Sequence, residues 1–218
     1  MQNTLPIQQR EDVRQQVIEA AAALFHKKGI RNVTMDDISH KLAMSKRTLY
    51  QIFADKEQLL LACVMMHEDE ESRFSEKLTQ KSKSVLDFIL MFSAHKMSDM
   101  DCIRPEFYID LIKYPRVAQH IEMHKKKVEE SAIEFMKKGV EEGYFRQDVN
   151  FGIVMRQLLY GMDQFLQNRL IEEYSQRELF MNTVIPYIRG CSTRKGIEMI
   201  DAFLDKLRNA SLRVKTAK

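Results

Sequence analysis

Glycine, proline and cysteine are scarce in this chain, and tryptophan is missing. Seven Gly and four Pro in 218 residues are too few for a fold of many short strands and turns, so composition points to long helices. The three cysteines, Cys63, Cys102 and Cys191, are odd in number, far apart and in no paired motif. That argues against a disulfide framework or a zinc site and suits a reducing compartment. No window reaches the roughly 18 consecutive apolar residues of a membrane helix, and the polar start "MQNTLPIQQREDVRQQ" has no signal-peptide core. The expectation is a soluble, cytoplasmic protein without a membrane partner. Net charge is only +3, so a nucleic-acid surface has to be a local patch.

Catalytic signatures are missing as well. There is no Gly-x-Ser-x-Gly elbow, no Gly-rich phosphate loop and no His-Glu-x-x-His, so neither an enzyme nor a cofactor is expected. His120 and His124 have the four-residue spacing of zinc ligands on a helix. Lys125, Lys126 and Lys127 follow them and would repel a cation, and no third ligand is evident, so no metal is expected.

What is present is helical periodicity almost throughout. Val13, Val17, Ala20, Ala21, Leu24 and Phe25 step along one face up to Gly29, a natural helix stop. Capping signals recur at Thr34–Asp37, Asp55–Gln58, Ser84–Asp87 and Ser175–Glu178, each ahead of an apolar-periodic run. The pattern predicts an all-α protein with helices over 10–28, 35–42, 46–52, 56–79, 84–98, 105–112, 115–142, 150–173, 176–190 and 195–209. A break is expected near Pro186 and Gly190, with a final helix packed back.

The second and third of these helices are short and separated only by Ala43-Met44-Ser45. Helices of about two turns need tertiary support, which Leu24, Phe25, Ile38, Leu42, Leu49, Ile52 and Phe53 supply. A three-helix unit with one cationic outer face has the outline of a helix-turn-helix DNA reader. The stretch "VTMDDISHKLAMSKRTLYQIFADKEQLL", preceded by "IEAAAALFHKKGIRN", resembles the DNA-binding domain of the tetracycline-repressor (TetR) family. The matching features are the Ala-rich first helix ending Leu-Phe-x-x-x-Gly, Thr34, the run Thr48-Leu49-Tyr50, Phe53 and Lys56. Together they cover about residues 14–62. One departure stands out: the tight turn usually carries Gly and here carries Ala43.

Lys46 and Arg47 open the recognition helix, where cations beside the positive end of the helix dipole are unfavourable; an anionic ligand explains them better than a solvated face. Arg47 suits a guanine edge or a phosphate, and Gln51 an adenine, although an exposed Gln is also ordinary. Tyr50 and Thr48 suit phosphate, and Thr48 also a thymine methyl. Thr34 serves as cap and phosphate ligand, and Lys56 resembles the family's phosphate-binding lysine.

The resemblance implies a helix-turn-helix domain over residues 1–55 and a larger helical ligand-binding and dimerisation domain over 56–218. Met91, Phe92, His95, Phe107, Tyr108, Met123, Met155 and Tyr160 are candidates for an apolar pocket. A Met or aromatic stripe at helical spacing is nevertheless core more often than pocket. Ile153, Leu158, Gly161, Phe165 and Ile185 are candidates for the dimer interface. The expected function is a ligand-responsive repressor that binds a palindromic operator in double-stranded DNA as a homodimer and is released by a small apolar or amphipathic effector. The alternative is a helical protein-interaction module without specific DNA binding.

Overall fold

The computed structural model describes residues 7–100, 103, 105–167 and 170–216. Their regular elements are all helices: α1 (Ile7–Lys28), α2 (Met35–Lys41), α3 (Lys46–Ile52), α4 (Lys56–Lys81), α5 (Val85–Met100), α6 (Pro105–Leu111), α7 (Pro115–Glu141), α8 (Phe151–Gln167), α9 (Leu170–Glu173), α10 (Gln176–Cys191) and α11 (Arg194–Thr216). No described helix is long and apolar enough to cross a membrane. Cys63 and Cys191 are buried free thiols, and burial pushes the Cys63 thiol up to about 12. Cys102 lies outside the described residues.

The helix starts follow from their caps. Thr34 accepts the Asp37 amide while the Asp37 side chain reaches back to Thr34, and Ser175 and Glu178 repeat the arrangement. At α4 and α5 the return arm lands one residue earlier than expected. Gln58 accepts from the Ala54 amide, and Asp87 from that of Lys83. The periodic run expected over 150–173 is described as α8 and α9, with 168–169 outside the described residues. The break expected near Pro186 and Gly190 falls just after Gly190, since α10 runs through Pro186 to Cys191 and α11 starts at Arg194. Proline removes one donor from the ladder, but the flanking Ile185 and Ile188 are buried at 5% and 6% exposure and hold the helix in place.

The turn after α2 gives the departure at Ala43 its meaning. The Ala43 amide bonds to the His40 carbonyl at 3.1 Å and the Met44 amide to that of Ser39 at 3.0 Å. This paired closure leaves the residue after the helix cap in left-handed backbone, where glycine is usual. Ala43 sits there with φ +50°, whereas the same closure after α7 has Gly143 at φ +77°. Ala43→Gly is therefore expected to stabilise the unit by about 1 kcal/mol, measured by denaturant unfolding. A loss of stability would show that the turn prefers alanine.

The chain divides into two compact units: residues up to Phe74 with 102–124, and 75–101 with 125–218. The expected boundary at residue 56 is where α4 begins, whereas α4 and α7 both contribute residues to each unit. Unit 1 is built on Val17, Phe25, Ile30, Ile38, Leu49, Phe53, Leu59 and Leu60, joined by Phe107 and Val117. Unit 2 packs Leu86, Leu90, Met136, Phe145, Phe151, Ile185, Ile188 and Ile200. Within unit 2, Phe145 fits because residue 139 is glycine: a Cβ there would lie 2.4 Å from the Phe145 ring.

Candidate nucleic-acid interface

The recognition helix is held from behind and capped from its own end. Leu49 and Phe53 are 0% and 1% exposed, and Leu42, Met44 and Ile52 pack beside them. Ser45 caps α3 by accepting the Thr48 amide at 3.1 Å, and the two hydroxyls lie 2.8 Å apart. Ser39 is buried, and its hydroxyl donates to the Asp36 carbonyl at 2.9 Å. The outer face of α3 is therefore fixed in register by groups that do not themselves face out.

On that face Arg47, Thr48, Tyr50 and Gln51 are exposed, with Tyr50 at 49%. No side-chain hydrogen bond or ion pair joins Arg47, Tyr50 or Gln51 to other described residues, so a guanidinium, a phenol and an amide are all available to one surface. Lys46 differs, since its ammonium pairs with Asp36 of α2. The dipole conflict read from the sequence is thus relieved inside the molecule, and the Lys46 charge alone does not require an external anion.

Thr34 is exposed at the start of α2, and its hydroxyl donates to Asp37 at 2.6 Å. This bond, together with the Thr34 amide, holds the Asp37 carboxyl below its ordinary value. Lys56 is turned inward. Its ammonium donates to the Ile30 carbonyl and lies 5.9 Å from the centre of the Phe25 ring. Burial lowers its pKa, opposed by the nearby Asp110 and Asp37. In this conformation Lys56 supports the turn that leads to Thr34 through its bond to the Ile30 carbonyl.

Sequence reading missed the groups that anchor this turn from α6. Asp110 is buried at 5% exposure, takes the Lys113 ammonium at 2.8 Å and accepts from the Arg31 amide at 3.3 Å. No local signal marks its link to the turn, since Arg31 is 79 residues away in sequence.

The residues expected to line a ligand pocket fall in both units. Phe107 belongs to the core of unit 1, edge-on to His26 at 4.7 Å, with Tyr108 packed against the same core. Met123 is 52% exposed. In unit 2, Met91 is 41% exposed and Met155 packs against the core. Phe92 stacks on Phe88 at 5.7 Å, and Phe88 meets Phe135 edge-on at 4.8 Å. His95 is half-buried, and Lys125 lies over the Tyr160 ring at 5.5 Å. An open groove of about 490 Å³ in unit 2 is lined by residues of α7, α8 and their connection, with Ile133, Val140, Val149 and Phe151 alongside Lys137, Glu141, Gln147 and Asn150.

Of the expected interface residues, Ile153 is 68% exposed and Leu158, Gly161 and Phe165 are half-buried. A Cβ on Gly161 would meet nothing within 4 Å. Ile185 faces inward at 5% exposure, inside the core of its own chain. His120 and His124 share one partner, Glu68, at 2.7 and 3.4 Å.

A short helix with a free polar face, set on an apolar turn-linked partner helix, defines a helix-turn-helix DNA-binding regulator of transcription. Residues 17–63 match the domain described as bacterial regulatory proteins, tetR family. Over 158 residues the chain is 28% identical to the HTH-type transcriptional repressor KstR2 of Mycobacterium tuberculosis, spanning 66% of this chain and 74% of that protein. Over 128 residues it is 28% identical to the HTH-type transcriptional activator FasR of Mycolicibacterium smegmatis, spanning 56% of each. Its fold is similar to that of a gamma-butyrolactone receptor (ArpA-like protein), with a TM-score of 0.64, 19% identity, and coverage of 93% of this chain and 99% of that one. Residues 17–63 are thus a domain of the tetR family of bacterial regulatory proteins.

Proposed function

We propose that this regulator is a ligand-responsive repressor that binds a palindromic operator as a homodimer through the outer face of α3. The observation that carries the reading is the set Arg47, Tyr50 and Gln51, free of partners among the described residues and presented over fully buried Leu49 and Phe53 within the matched domain. Arg47 and Gln51 read base edges. Tyr50, Thr48 and Lys46 hold phosphates, Lys46 after exchanging Asp36 for DNA, and Thr34 contributes at the α2 start. Lys56 acts from behind, through the Ile30 carbonyl. Residues 1–55 do the reading, and 56–218 carry effector binding and self-association.

The effector is a small apolar or amphipathic molecule. This reading draws on relatives described as a ketosteroid transcriptional regulator and a gamma-butyrolactone receptor, and on the Phe88, Phe92 and Phe135 cluster of unit 2. The effector releases DNA by binding more tightly to a state in which α4 holds the recognition helices at the wrong separation. Self-association uses exposed Ile153 with Leu158, Gly161 and Phe165, and two half-sites multiply the affinity of one short helix.

The test is binding to the promoter DNA beside the gene at several salt concentrations. A specific repressor gives tight binding to a palindromic site and a steep salt slope. Arg47→Ala should weaken that binding by roughly 1–3 kcal/mol and relax base preference at one position. Flat, weak binding to every sequence would overturn the assignment.

A further inference from the structure

The N-terminal ends of α4 and α7 meet within unit 1, and each is capped by a carboxylate. Asp55 accepts the Gln58 amide at 2.7 Å, as the cap of α4. Glu57, in the first turn of α4, accepts the Arg116 amide at 2.7 Å and so caps α7 from another helix. A single guanidinium joins the two caps: Arg116 Nη2 donates to Asp55 at 2.6 Å and Nε to Glu57 at 3.1 Å. Further along, Glu68 of α4 meets His120 and His124. Arg116, His120 and His124 are spaced i, i+4, i+8, one stripe of α7, and Glu57 and Glu68 are eleven residues apart, one stripe of α4.

The clasp is half exposed, with the Arg116 and Asp55 side chains at 50% and 48%. A surface ion pair of this kind adds little to stability. Its geometry points to another use. Asp55 and Glu57 flank Lys56, which supports the Ile30 turn, and only Ala54 separates Asp55 from Phe53, the apolar anchor of the recognition helix. Fixing both helix starts to one planar group removes their independent motion without tightening the core.

We propose that Arg116 is a positioning residue for DNA reading: by clasping Asp55 and Glu57 it makes α7, as well as α4, set where the recognition helix lies. This rests on the DNA-reading function proposed above. Movement of α7 then reaches α3 through Asp55 and Glu57, and loss of the clasp leaves α4 with alternative starts that docking has to remove. Preorganisation lost in this way lowers affinity without removing any contact to DNA.

The experiment compares wild type, Arg116→Ala, Arg116→Lys, Glu57→Ala and the double Arg116→Ala/Glu57→Ala. Promoter-fragment affinity is measured at fixed salt, with thermal unfolding and amide hydrogen exchange over residues 54–60. Arg116→Ala should lose at least fivefold in affinity and lose exchange protection in that segment, with the melting temperature nearly unchanged. Arg116→Lys should recover part of the affinity, because it keeps the charge but not the fork. The double variant should be no worse than the poorer single one. Wild-type-like affinity of Arg116→Ala would overturn the inference while leaving the DNA-reading function standing. If wild type itself fails to bind the fragment, that function fails, and exchange alone decides: lost protection at 54–60 supports the clasp, and unchanged protection overturns it.

Discussion

Leu49→Ala is expected to destabilise unit 1 by about 2–5 kcal/mol and to abolish specific promoter binding. Leu49 is the central buried contact of a helix only seven residues long. A helix of that length has almost no stability of its own in water, so its position depends on the apolar side chains behind it. Truncation removes transfer energy and leaves a cavity beside Ile38 and Phe53, which share the same core. The Ser45 cap and the Ala43 turn remain, but they fix only the start of α3. For a unit of this size the lost energy corresponds to roughly 10–20 °C in melting temperature. Thermal unfolding should resolve that shift. If promoter affinity were retained, α3 would be held by something other than its apolar back, and the proposed reading geometry would fail.

The helix-turn-helix was legible in the sequence because its determinants are local. Caps three residues apart, an apolar face at helical spacing and a two-turn helix length all act within a few residues. Helical spacing alone puts Ile38, Leu49 and Phe53 on inward faces, and all three are buried. The roles of the cations were less legible, since a cation's partner is decided by tertiary contact. Lys46 reads as a DNA ligand, yet Asp36, ten residues away, lies against it. Lys56 reads as a phosphate ligand, yet it bonds to the Ile30 carbonyl 26 residues back. Asp110 and Arg116 carried no signal at all, because they bond to groups 79 and 61 residues away. Ile185 shows the same limit for apolar residues: periodicity identifies a buried face but not which partner buries it. Effector and interface positions are therefore the least determined by pattern, and the direct tests fall on α3, α4 and α7.

Gly196→Ala is the second large expected effect, a loss of roughly 3 kcal/mol in unit 2, the upper end of overpacking. A Cβ on residue 196 would stand 2.4 Å from the Tyr144 carbonyl oxygen and 2.9 Å from Ser192 Cβ. Neither atom is the end of a flexible side chain. The Tyr144 carbonyl accepts the Thr193 amide at 2.9 Å, and the Arg146 amide bonds to the Cys191 carbonyl at 2.9 Å. The Thr193 hydroxyl adds a bond to the Gly143 carbonyl at 2.8 Å, and Lys195 donates to Glu142 while lying 4.0 Å over the Tyr144 ring. Residues 142–146 and 191–196 are thus stitched along one short antiparallel contact, which fixes the entry to α11 against the turn after α7. An added methyl forces the two strips apart and strains the bonds between them. Gly190→Ala makes the matched control. Its Cβ meets nothing within 4 Å, and alanine in a helix is favoured over glycine by up to about 1 kcal/mol. Thermal unfolding of both variants should move in opposite directions, down for Gly196→Ala and level or up for Gly190→Ala. Equal melting temperatures would mean that the 142–146 turn yields without cost, and that α11 is held by its apolar face, through Ile200 with Met199, Phe203 and Leu204.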